Sequence, residues 1–479
     1  MLWLALLQGS SFTLSVALNL PSGMTTTLAA MVTLLWALMY LFAAIGLFAA
    51  YGVDWVTWLV RYRLPLTLLI AVTLFSAFWS IDPRLSLERG LHLAGSTLVA
   101  VYIGIRMPLH EIVRITARVL AILIVLSIGA SLYVPALGIA EYEGRLVWRG
   151  VMASKNTLGF WAAIAVMLFA FRAAERQRLT VRLGWMVMSA LAMLCLVQSV
   201  SATSVLALVV AVLVMLYVYA ATELKLSAFP MILLGVIVSI LAFIAFRSID
   251  TAELIGRSGD LTGRTEVWQE TWRLILSRPL TGYGYGTIWF PTETSLWIQE
   301  SLTDIKWKVY HAHNGLLQIA SEIGLPATVL MVILVGQQLA ETIWCQYRRP
   351  QPGLGFVLGF TVALLVSNYS EARLLVNRDL FWIYLVALPI SMLQQVTLVP
   401  GERPNSFGPH LGHRERVSAT PRRETLAQRR DLKKRLRDRR LESLQAEADV
   451  VAEQVHPRQD VPGAVSARRP VVDKQGKTR

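Results

Sequence analysis

Cysteine, charge and the motifs of soluble enzymes are all scarce in this chain of 479 residues. Its two cysteines are Cys195 inside an uncharged run and Cys345 at the end of another, so neither a disulfide nor a Cys/His metal site is expected. Charged residues make up 16% of the chain, against about 25% in soluble domains, which excludes a soluble globular protein. No ATP, dinucleotide or metal-binding motif occurs, and no cofactor is predicted.

Long uncharged runs occupy most of residues 1–399 instead. A transmembrane helix needs about 20 apolar residues, and the runs predict an all-α integral membrane protein with about twelve such helices, of which the first lies near residues 3–20. The runs are residues 1–53 (two helices), 64–81, 90–105, 119–140, 156–171, 183–222 (two helices, broken near residues 198–204), 226–246, 314–340 (with one acid, Glu322), 350–370 and 380–401.

Positive charge is distributed unevenly around these runs. With the N-terminus inside, the inner loops carry 12 Lys and Arg residues against 7 in the short outer loops, which predicts that both termini face the cytoplasm. Residues 400–479 hold 19 Lys and Arg against 11 Asp and Glu. We expect a basic cytoplasmic tail, partly disordered or helical, that favours anionic lipid headgroups. No motif supports nucleic-acid binding.

One long loop, residues 247–312, lies outside between the predicted ninth and tenth helices. It holds five of the fifteen tryptophans, which argues for an ordered and functional loop. Thr265–Ser277 is predicted to be a helix whose apolar stripe comprises Val267, Trp268, Trp272, Ile275 and Leu276. The glycine run from Gly282 to Gly286 is predicted to turn the chain rather than to bind phosphate, because no strand precedes it.

Several Lys and Arg residues lie in loops predicted on the outer side of the membrane, where such residues are usually rare. Arg145, Arg149 and Lys155 lie within eleven residues, which fits either an ordinary basic loop or a site for phosphate or acidic sugar. Arg264 precedes a helix whose positive dipole end it would oppose, unless both hold an anion. Asp82-Pro83 reads as a helix-ending turn, with a substrate role as the alternative.

His311 and His313 enter the tenth helix on the outer side. Their spacing points the side chains to different sides of a helix and no acid completes a set, so one histidine as a general base is preferred to a metal site. Glu322 is expected on the opposite face from His313, supporting a neighbouring helix. Outward cations, a reachable histidine and aromatic residues together fit an enzyme acting on a lipid-linked diphosphate.

The sequence resembles the O-antigen ligase and polymerase superfamily of bacterial membrane glycosyltransferases over roughly residues 76–370. The resemblance rests on five motifs in order: Trp79-Ser-Ile-Asp-Pro83, Trp148-Arg-Gly150 with Lys155-Asn-Thr-Leu-Gly159, Leu261-Thr-Gly-Arg264-Thr-Glu-Val-Trp268, Pro279-Leu-Thr-Gly-Tyr-Gly-Tyr-Gly286, and His313-Asn-Gly315 with Glu322-Ile-Gly-Leu-Pro326. It implies a GT-C-like fold, residence in the inner membrane and metal-independent, inverting transfer of an undecaprenyl-diphosphate-linked glycan at the periplasmic face.

The resemblance also assigns residues. His313 matches the family's base and Arg264 its diphosphate ligand. The further substrate-binding candidates are Arg145, Arg149, Lys155, Asn156, Trp268, Tyr283, Tyr285, His311 and Asn314. One departure concerns a second arginine, which ligases carry in a turn that here reads Ser199-Val-Ser-Ala-Thr-Ser204 without a basic residue; Arg149 or Lys155 is expected to replace it.

Three functions remain open at this stage. The Lys155-Asn156 and glycine-run segments look more like the exopolysaccharide-production branch, which favours polymerisation of repeat units, with polysaccharide export proteins as further partners. The alternatives are a ligase that transfers glycan to lipid A core and a flippase for the same lipid. A flippase would place ionisable groups near the midplane, whereas the polar residues here cluster at the outer edge.

Overall fold

The computed structural model describes residues 22–142, 144–175, 177–224, 264–290, 293, 295–301, 309–348 and 352–397. The predicted first helix, the run 226–246, residues 247–263 and 302–308 of the outer loop, and the tail 400–479 lie outside these residues. The described part forms fourteen α-helices, one short 3-10 helix (Ser76–Phe78) and one β-hairpin.

The helices follow one another with short connections. The first seven are α1 (Ser22–Tyr51), α2 (Asp54–Tyr62), α3 (Leu64–Phe75), α4 (Pro83–Arg106), α5 (Leu109–Tyr133), α6 (Pro135–Gly138) and α7 (Lys155–Ala174). The remaining seven are α8 (Leu179–Gln198), α9 (Ala202–Glu223), α10 (Arg264–Ser277), α11 (Leu296–Ser301), α12 (Gly315–Arg348), α13 (Pro352–Asn368) and α14 (Leu380–Thr397).

Six of these helices are long and apolar enough to cross a membrane: α1, α5, α7, α8, α9 and α12. A seventh span forms if α2 and α3, which meet at an angle of 101°, are taken as one broken crossing. The all-helical membrane protein is therefore confirmed, but the described residues do not reach the predicted twelve spans. The prediction of two spans broken near residues 198–204 is confirmed by α8 and α9.

The helices differ in how far they are enclosed. Helix α7 is the most buried of the six candidate spans, whereas α1 and α8 expose most of their apolar side chains, as lipid-facing helices do. Helix α14 is buried along nearly all of its length and packs against α4. The centre of the body is therefore built from α7, α13 and α14, and the functional side chains described below lie at one end of these helices.

A β-hairpin follows α6 and is an exception to the predicted all-α fold. Strand β1 (Ile139–Tyr142) pairs antiparallel with β2 (Arg145–Trp148), with Tyr142 opposite Arg145. Gly144 has a φ of 71°, the left-handed conformation that a tight hairpin turn requires. The hairpin leads directly into α7.

Two helix starts show how local sequence fixes the helix boundaries. Asp82 caps α4 by accepting a hydrogen bond from the Leu85 N–H at 3.0 Å, and Pro83 takes the first helical position. The predicted helix-ending turn at Asp82-Pro83 is thus the beginning of the next helix. Ser154 caps α7 in the same way through the Thr157 N–H.

The described part of the outer loop has a small core of its own. Val267 and Leu274 of α10 pack with Tyr283, Ile288, Trp289 and their neighbours. The predicted helix is confirmed, but its predicted stripe is only half right: Val267 and Ile275 are buried, whereas Trp272 and Leu276 are exposed. A helix stripe read from sequence cannot distinguish a surface covered by protein from one facing lipid.

The glycine run turns the chain as predicted. It also packs the outer loop closely against Glu322 of α12, Ser80 before α4 and Arg89 of α4. Gly282, Gly284 and Gly286 all have positive φ. Added Cβ atoms would lie 2.4 Å from the Glu322 carbonyl carbon, 2.0 Å from Ser80 Oγ and 2.6 Å from Arg89 Cδ, respectively. Only glycine permits both the backbone conformation and these close approaches.

Helix α12 is broken at Gly324, whose φ is 86°. An added Cβ there would lie 2.2 Å from the Leu280 carbonyl oxygen, so Gly324 packs against the outer loop rather than beneath His313. The Glu322 backbone carbonyl accepts a hydrogen bond from the Gly284 N–H at 2.8 Å, whereas its side chain accepts one from Gln318 of the same helix; support of a neighbouring helix by that side chain stays a prediction. The glycine run and the break in α12 are therefore in direct backbone contact, and each stabilises the conformation of the other.

We expect Gly284→Ala to destabilise the protein by roughly 1–3 kcal/mol, because alanine combines an unfavourable φ with a clash against Ser80. The measurement is the thermal unfolding midpoint of the purified protein in detergent. Gly184→Ala is the matched control, since a Cβ there meets no atom within 4 Å and α8 favours alanine. Equal midpoints for Gly284→Ala and wild type would contradict this account of the glycine run.

Candidate active site

Two histidines lie side by side just before α12. The His311 and His313 ring centroids are 4.0 Å apart, and the His313 backbone N–H donates to His311 Nδ1 at 3.1 Å. His313 has a φ of 51°, so the segment turns sharply instead of continuing the helix. The expectation that the two side chains point to different sides is therefore wrong, because it assumed a helix that begins only at Gly315.

Asn314 fixes this turn to the helix. Its Oδ1 accepts hydrogen bonds from the Leu316 and Leu317 N–H groups at 3.1 Å each, which caps α12. Its Nδ2 donates to the Tyr369 carbonyl at 3.3 Å, in the loop between α13 and α14. The histidine segment is thereby attached to that loop.

The loop between α13 and α14, residues 369–379, supplies the carboxylate at the centre of the site. Glu371 Oε1 accepts a hydrogen bond from Asn156 Nδ2 at 2.6 Å and lies 3.7 Å from Arg264 Nη2. Its Oε2 lies 3.9 Å from His311 Nε2. The Glu371 side chain is only 12% exposed. One carboxylate thus joins α7, α10 and the histidine segment.

Arg373, two residues further on, is a second buried cation. Its Nε donates to Ser367 Oγ at 3.0 Å, and the guanidinium carbon lies 5.2 and 5.0 Å from the ring centroids of Phe160 and Phe381. Asn368 Oδ1 accepts the Arg373 backbone N–H at 3.0 Å. These contacts hold the Arg373 side chain in one position. Its positive charge therefore stays near Glu371.

Lys155 brings a third cation to the turn that lacks a basic residue. Its Nζ donates to the Val200 carbonyl at 3.2 Å and lies 3.8 Å from the Tyr142 ring centroid. The same turn meets the α13–α14 loop, since Ser370 Oγ donates to Thr203 Oγ1 at 2.9 Å. Of the two replacements expected from the sequence, Lys155 is the one that contacts this turn.

These neighbours set the protonation of the site. Burial lowers the pKa of His313 to about 3, with His311 and Arg264 acting in the same direction against Glu371. Burial also lowers the pKa of His311, helped by Arg373 and Arg264. Burial alone would raise the pKa of Glu371, but the histidines and arginines outweigh it and the pKa lies below its usual range. At neutral pH the site therefore holds neutral imidazoles and an ionised carboxylate.

His311, His313 and Glu371 also have the composition of a metal site. One ligand atom from each lies within 4.8 Å of the other two, so the acid that the sequence seemed to lack comes from a distant loop. However, Arg264 and Arg373 already act on the carboxylate electrostatically, and a divalent cation would add to their charge. The surroundings favour an anion over a metal ion.

The structure brings together seven of the sequence candidates: Arg264, His311, His313, Asn314, Asn156, Lys155 and Trp268. Trp268 joins through its Nε1, which donates to the Ala312 carbonyl at 3.0 Å, and through an edge contact with Tyr369. In the sequence these residues extend from Lys155 to Asn314. Their convergence follows from the fold and not from proximity along the chain.

Four other candidates have different surroundings. Arg149 donates to the carbonyls of Leu137 and Ala136 at 2.9 and 3.0 Å, which stabilises the turn before the hairpin, and Arg145 is exposed on β2. Tyr283 and Tyr285 are buried, and the Tyr285 hydroxyl donates to the Leu375 carbonyl at 2.6 Å. Substrate contacts by these four residues remain predictions.

Glu371 and Arg373 were missed from the sequence. Residues 371–379 carry two acids and two arginines between two uncharged runs, and that charge density on the outer side was an available signal. Asp379, at the end of the loop, accepts the Phe381 N–H at 2.6 Å. Burial raises the pKa of Asp379 to about 6, partly offset by backbone N–H groups and Arg373.

Comparisons with known proteins agree with this arrangement. A family model described as O-antigen ligase matches residues 187–332, which include Arg264, His311 and His313. The chain is also 28% identical over 317 residues to the "Exopolysaccharide production protein ExoQ" of Rhizobium meliloti (strain 1021), covering 61% of this chain and 70% of that protein. Together with the apolar helices, these likenesses support a multi-pass bacterial membrane protein that is similar to members of the O-antigen ligase/polymerase superfamily.

Proposed function

We propose that the protein is an inner-membrane glycosyltransferase that joins undecaprenyl-diphosphate-linked oligosaccharide repeat units at the periplasmic face, in exopolysaccharide biosynthesis. The observation that carries the proposal is the convergence of Arg264 and the histidine pair on Glu371, with Arg373 and Lys155 beside them. The likeness to an exopolysaccharide production protein supports the choice of polymer.

The cations suit a diphosphate leaving group. Arg264, Arg373 and Lys155 carry three positive charges, against one from Glu371 and a partial one from Asp379. The net charge of these groups is positive, so it would attract a diphosphate, which would gain charge-assisted hydrogen bonds from the guanidinium and ammonium groups. The same groups would stabilise the charge that develops on the diphosphate as its bond to the sugar breaks.

His313 is available as a base because its lowered pKa leaves the imidazole unprotonated at neutral pH. In the proposed reaction its imidazole accepts the proton of an acceptor sugar hydroxyl. The hydroxyl oxygen then bonds to the anomeric carbon of the donor from the face opposite the diphosphate. The bond from that carbon to the diphosphate oxygen breaks with its electron pair, and the configuration inverts. His311, contacting both His313 and Glu371, positions the base.

We expect His313→Ala and Arg264→Gln each to lower polymer synthesis by about 100-fold or more, because one removes the base and the other a charge on the leaving group. The assay is polymer formation from lipid-linked oligosaccharide by the purified protein, with insertion verified separately. Arg273→Gln is the matched control, since Arg273 lies on the same helix with 77% of its side chain exposed. Wild-type synthesis by correctly inserted His313→Ala protein would refute the proposal.

The rate at low substrate concentration should stay constant from pH 8 down to about 5.5, below the ordinary imidazole pKa of about 6.5. The reason is that burial and neighbouring cations lower the pKa of His313, so the base stays neutral as the pH falls. The measurement is kcat/KM against pH, which reports the free enzyme. A midpoint near 6.5 would mean that the base has an unperturbed pKa and is not this buried imidazole.

Transfer should not require a metal, because Arg264 and Arg373 supply the positive charge that a divalent ion would otherwise bring. We expect activity after dialysis against EDTA to remain within about twofold of the untreated protein, and added Mg²⁺, Mn²⁺ or Zn²⁺ not to raise it. Loss of activity with EDTA and recovery with one of these ions would instead assign His311, His313 and Glu371 as its ligands.

A ligase acting on lipid A core is the second candidate, favoured by the description of the matching family model. A deletion strain separates the two functions. Loss of secreted polymer, or core capped with a single repeat unit, indicates a polymerase. Core without any repeat unit, while polymer accumulates on the lipid carrier, indicates a ligase.

A further inference from the structure

A second cationic cluster lies on the opposite side of the α13–α14 loop. Arg378 Nη2 lies 2.6 Å from His92 Nε2 and 3.1 Å from His92 Nδ1, and Nη1 donates to Thr33 Oγ1 at 3.3 Å. The Arg378 backbone N–H donates to Ser96 Oγ at 2.9 Å. The guanidinium therefore lies between α1 and α4, away from the contacts made by Arg373.

The charge of Arg378 is not matched within the described residues. The Tyr40 hydroxyl contacts the guanidinium, but no described carboxylate oxygen lies within 4 Å of it, and its buried Nε–H makes no hydrogen bond of ordinary geometry within the described residues. Glu88, the nearest acid to His92, is 3.9 Å from that ring and mostly exposed. A cation with an unused donor between two apolar helices is costly unless an anion is supplied from elsewhere.

The cluster lies where a lipid could supply that anion. Charged residues occur in the first turns of α4 up to Arg89, and residues 90–105 are uncharged, so His92 lies near the level where the apolar part begins. Below it α1 and α4 pack closely, since a Cβ on Gly95 would lie 2.5 Å from the Tyr40 ring. Thr33 is exposed on the lipid-facing helix α1. We call this position between α1 and α4 the Arg378 cleft: the Gly95–Tyr40 contact closes it below, and Thr33 is exposed on the side towards lipid.

The backbone supports a specific role for this position. Arg378 has a φ of 56° and Leu375 a φ of 57°, conformations that cost free energy for residues other than glycine. They turn the loop so that Arg373 and Arg378, five residues apart, face two different sites. An extended chain of five residues spans at most about 18 Å, so the two guanidinium groups belong to neighbouring sites.

We infer that Arg378, His92 and Thr33 bind the phosphate group of a second lipid, and that this lipid is the second diphosphate-linked glycan of the transfer. The assignment rests on the proposed function, because joining two lipid-linked glycans of one leaflet brings two diphosphates to the same membrane surface, the second separated from the reacting atoms by the acceptor glycan. Arg264, Arg373 and Lys155 hold one of them, and the Arg378 cleft holds the other. The same phosphate chemistry could come from a phospholipid headgroup, and the test separates the two sources.

The test uses the full-length protein in nanodiscs of phosphatidylcholine, with native mass spectrometry counting bound undecaprenyl diphosphate per chain. Wild type should bind two molecules. Arg378→Gln should bind one, with the affinity for the second reduced at least about tenfold. Arg84→Gln, an exposed arginine in the first turn of α4, is the matched control and should bind two. Thr33→Val, on an exposed position that leaves the fold intact, should weaken the second binding event several-fold.

Phosphatidylglycerol, titrated in the same nanodiscs, identifies the source. Weaker undecaprenyl diphosphate binding by Arg378→Gln, without a change for phosphatidylglycerol, supports the substrate site. Loss of phosphatidylglycerol alone contradicts that assignment and makes the cleft a headgroup site. Wild-type binding of both lipids by Arg378→Gln and Thr33→Val overturns the inference. Arg264→Gln should lose the other molecule. If Arg264→Gln still binds two molecules of undecaprenyl diphosphate while Arg378→Gln binds one, the proposed active site is refuted and the Arg378 cleft is retained as a lipid site.

Discussion

The site depends on one buried carboxylate. Glu371 lies among Arg264, Arg373 and two histidines, on a loop whose neighbours come from four other parts of the chain. Without its charge, the guanidinium groups would repel one another in a partly desolvated site, and removing one partner of such a pair typically costs about 3–5 kcal/mol. The carboxylate also orients His311, which contacts the proposed base. A single ionised group therefore holds the cations together and contacts the histidine pair, while burial keeps the imidazoles neutral against its influence.

The backbone around this carboxylate is held in unusual conformations. Among the described residues, four other than glycine have positive φ, namely Val200, His313, Leu375 and Arg378, and all four lie in turns at this end of the helices. Each is held by neighbours: Asn314 caps the helix after His313, and Asn368 Oδ1 accepts two N–H groups of the α13–α14 loop. Such conformations persist where the surrounding structure over-determines them, and they concentrate at functional sites.

The sequence predicted the membrane body, the helix Thr265–Ser277 and the turn at the glycine run, because each depends on local pattern; the roles of Arg264 and His313 stay predictions. It could not place Glu371 beside Arg264 and the histidines, since these contacts join residues from about sixty to more than a hundred positions apart. The histidine geometry failed for a related reason: helical spacing was applied to a segment that the fold turns through a left-handed residue. Tyr283 and Tyr285 show a different difficulty. An aromatic residue in an outer loop can stack on a sugar ring or fill the core of the loop, and the sequence does not distinguish these two uses.

The loop between α13 and α14 follows the other parts of the site along the chain, so it is synthesised after them. Membrane helices are inserted as the chain is synthesised, from the N-terminus onward. Lys155, Arg264 and the histidines therefore emerge before the carboxylate that joins them, and the matched family segment ends at residue 332, well short of it. Glu371 can join these groups only after the loop between α13 and α14 has been synthesised, so a shorter nascent chain holds the arginine and the histidines without the carboxylate that contacts them.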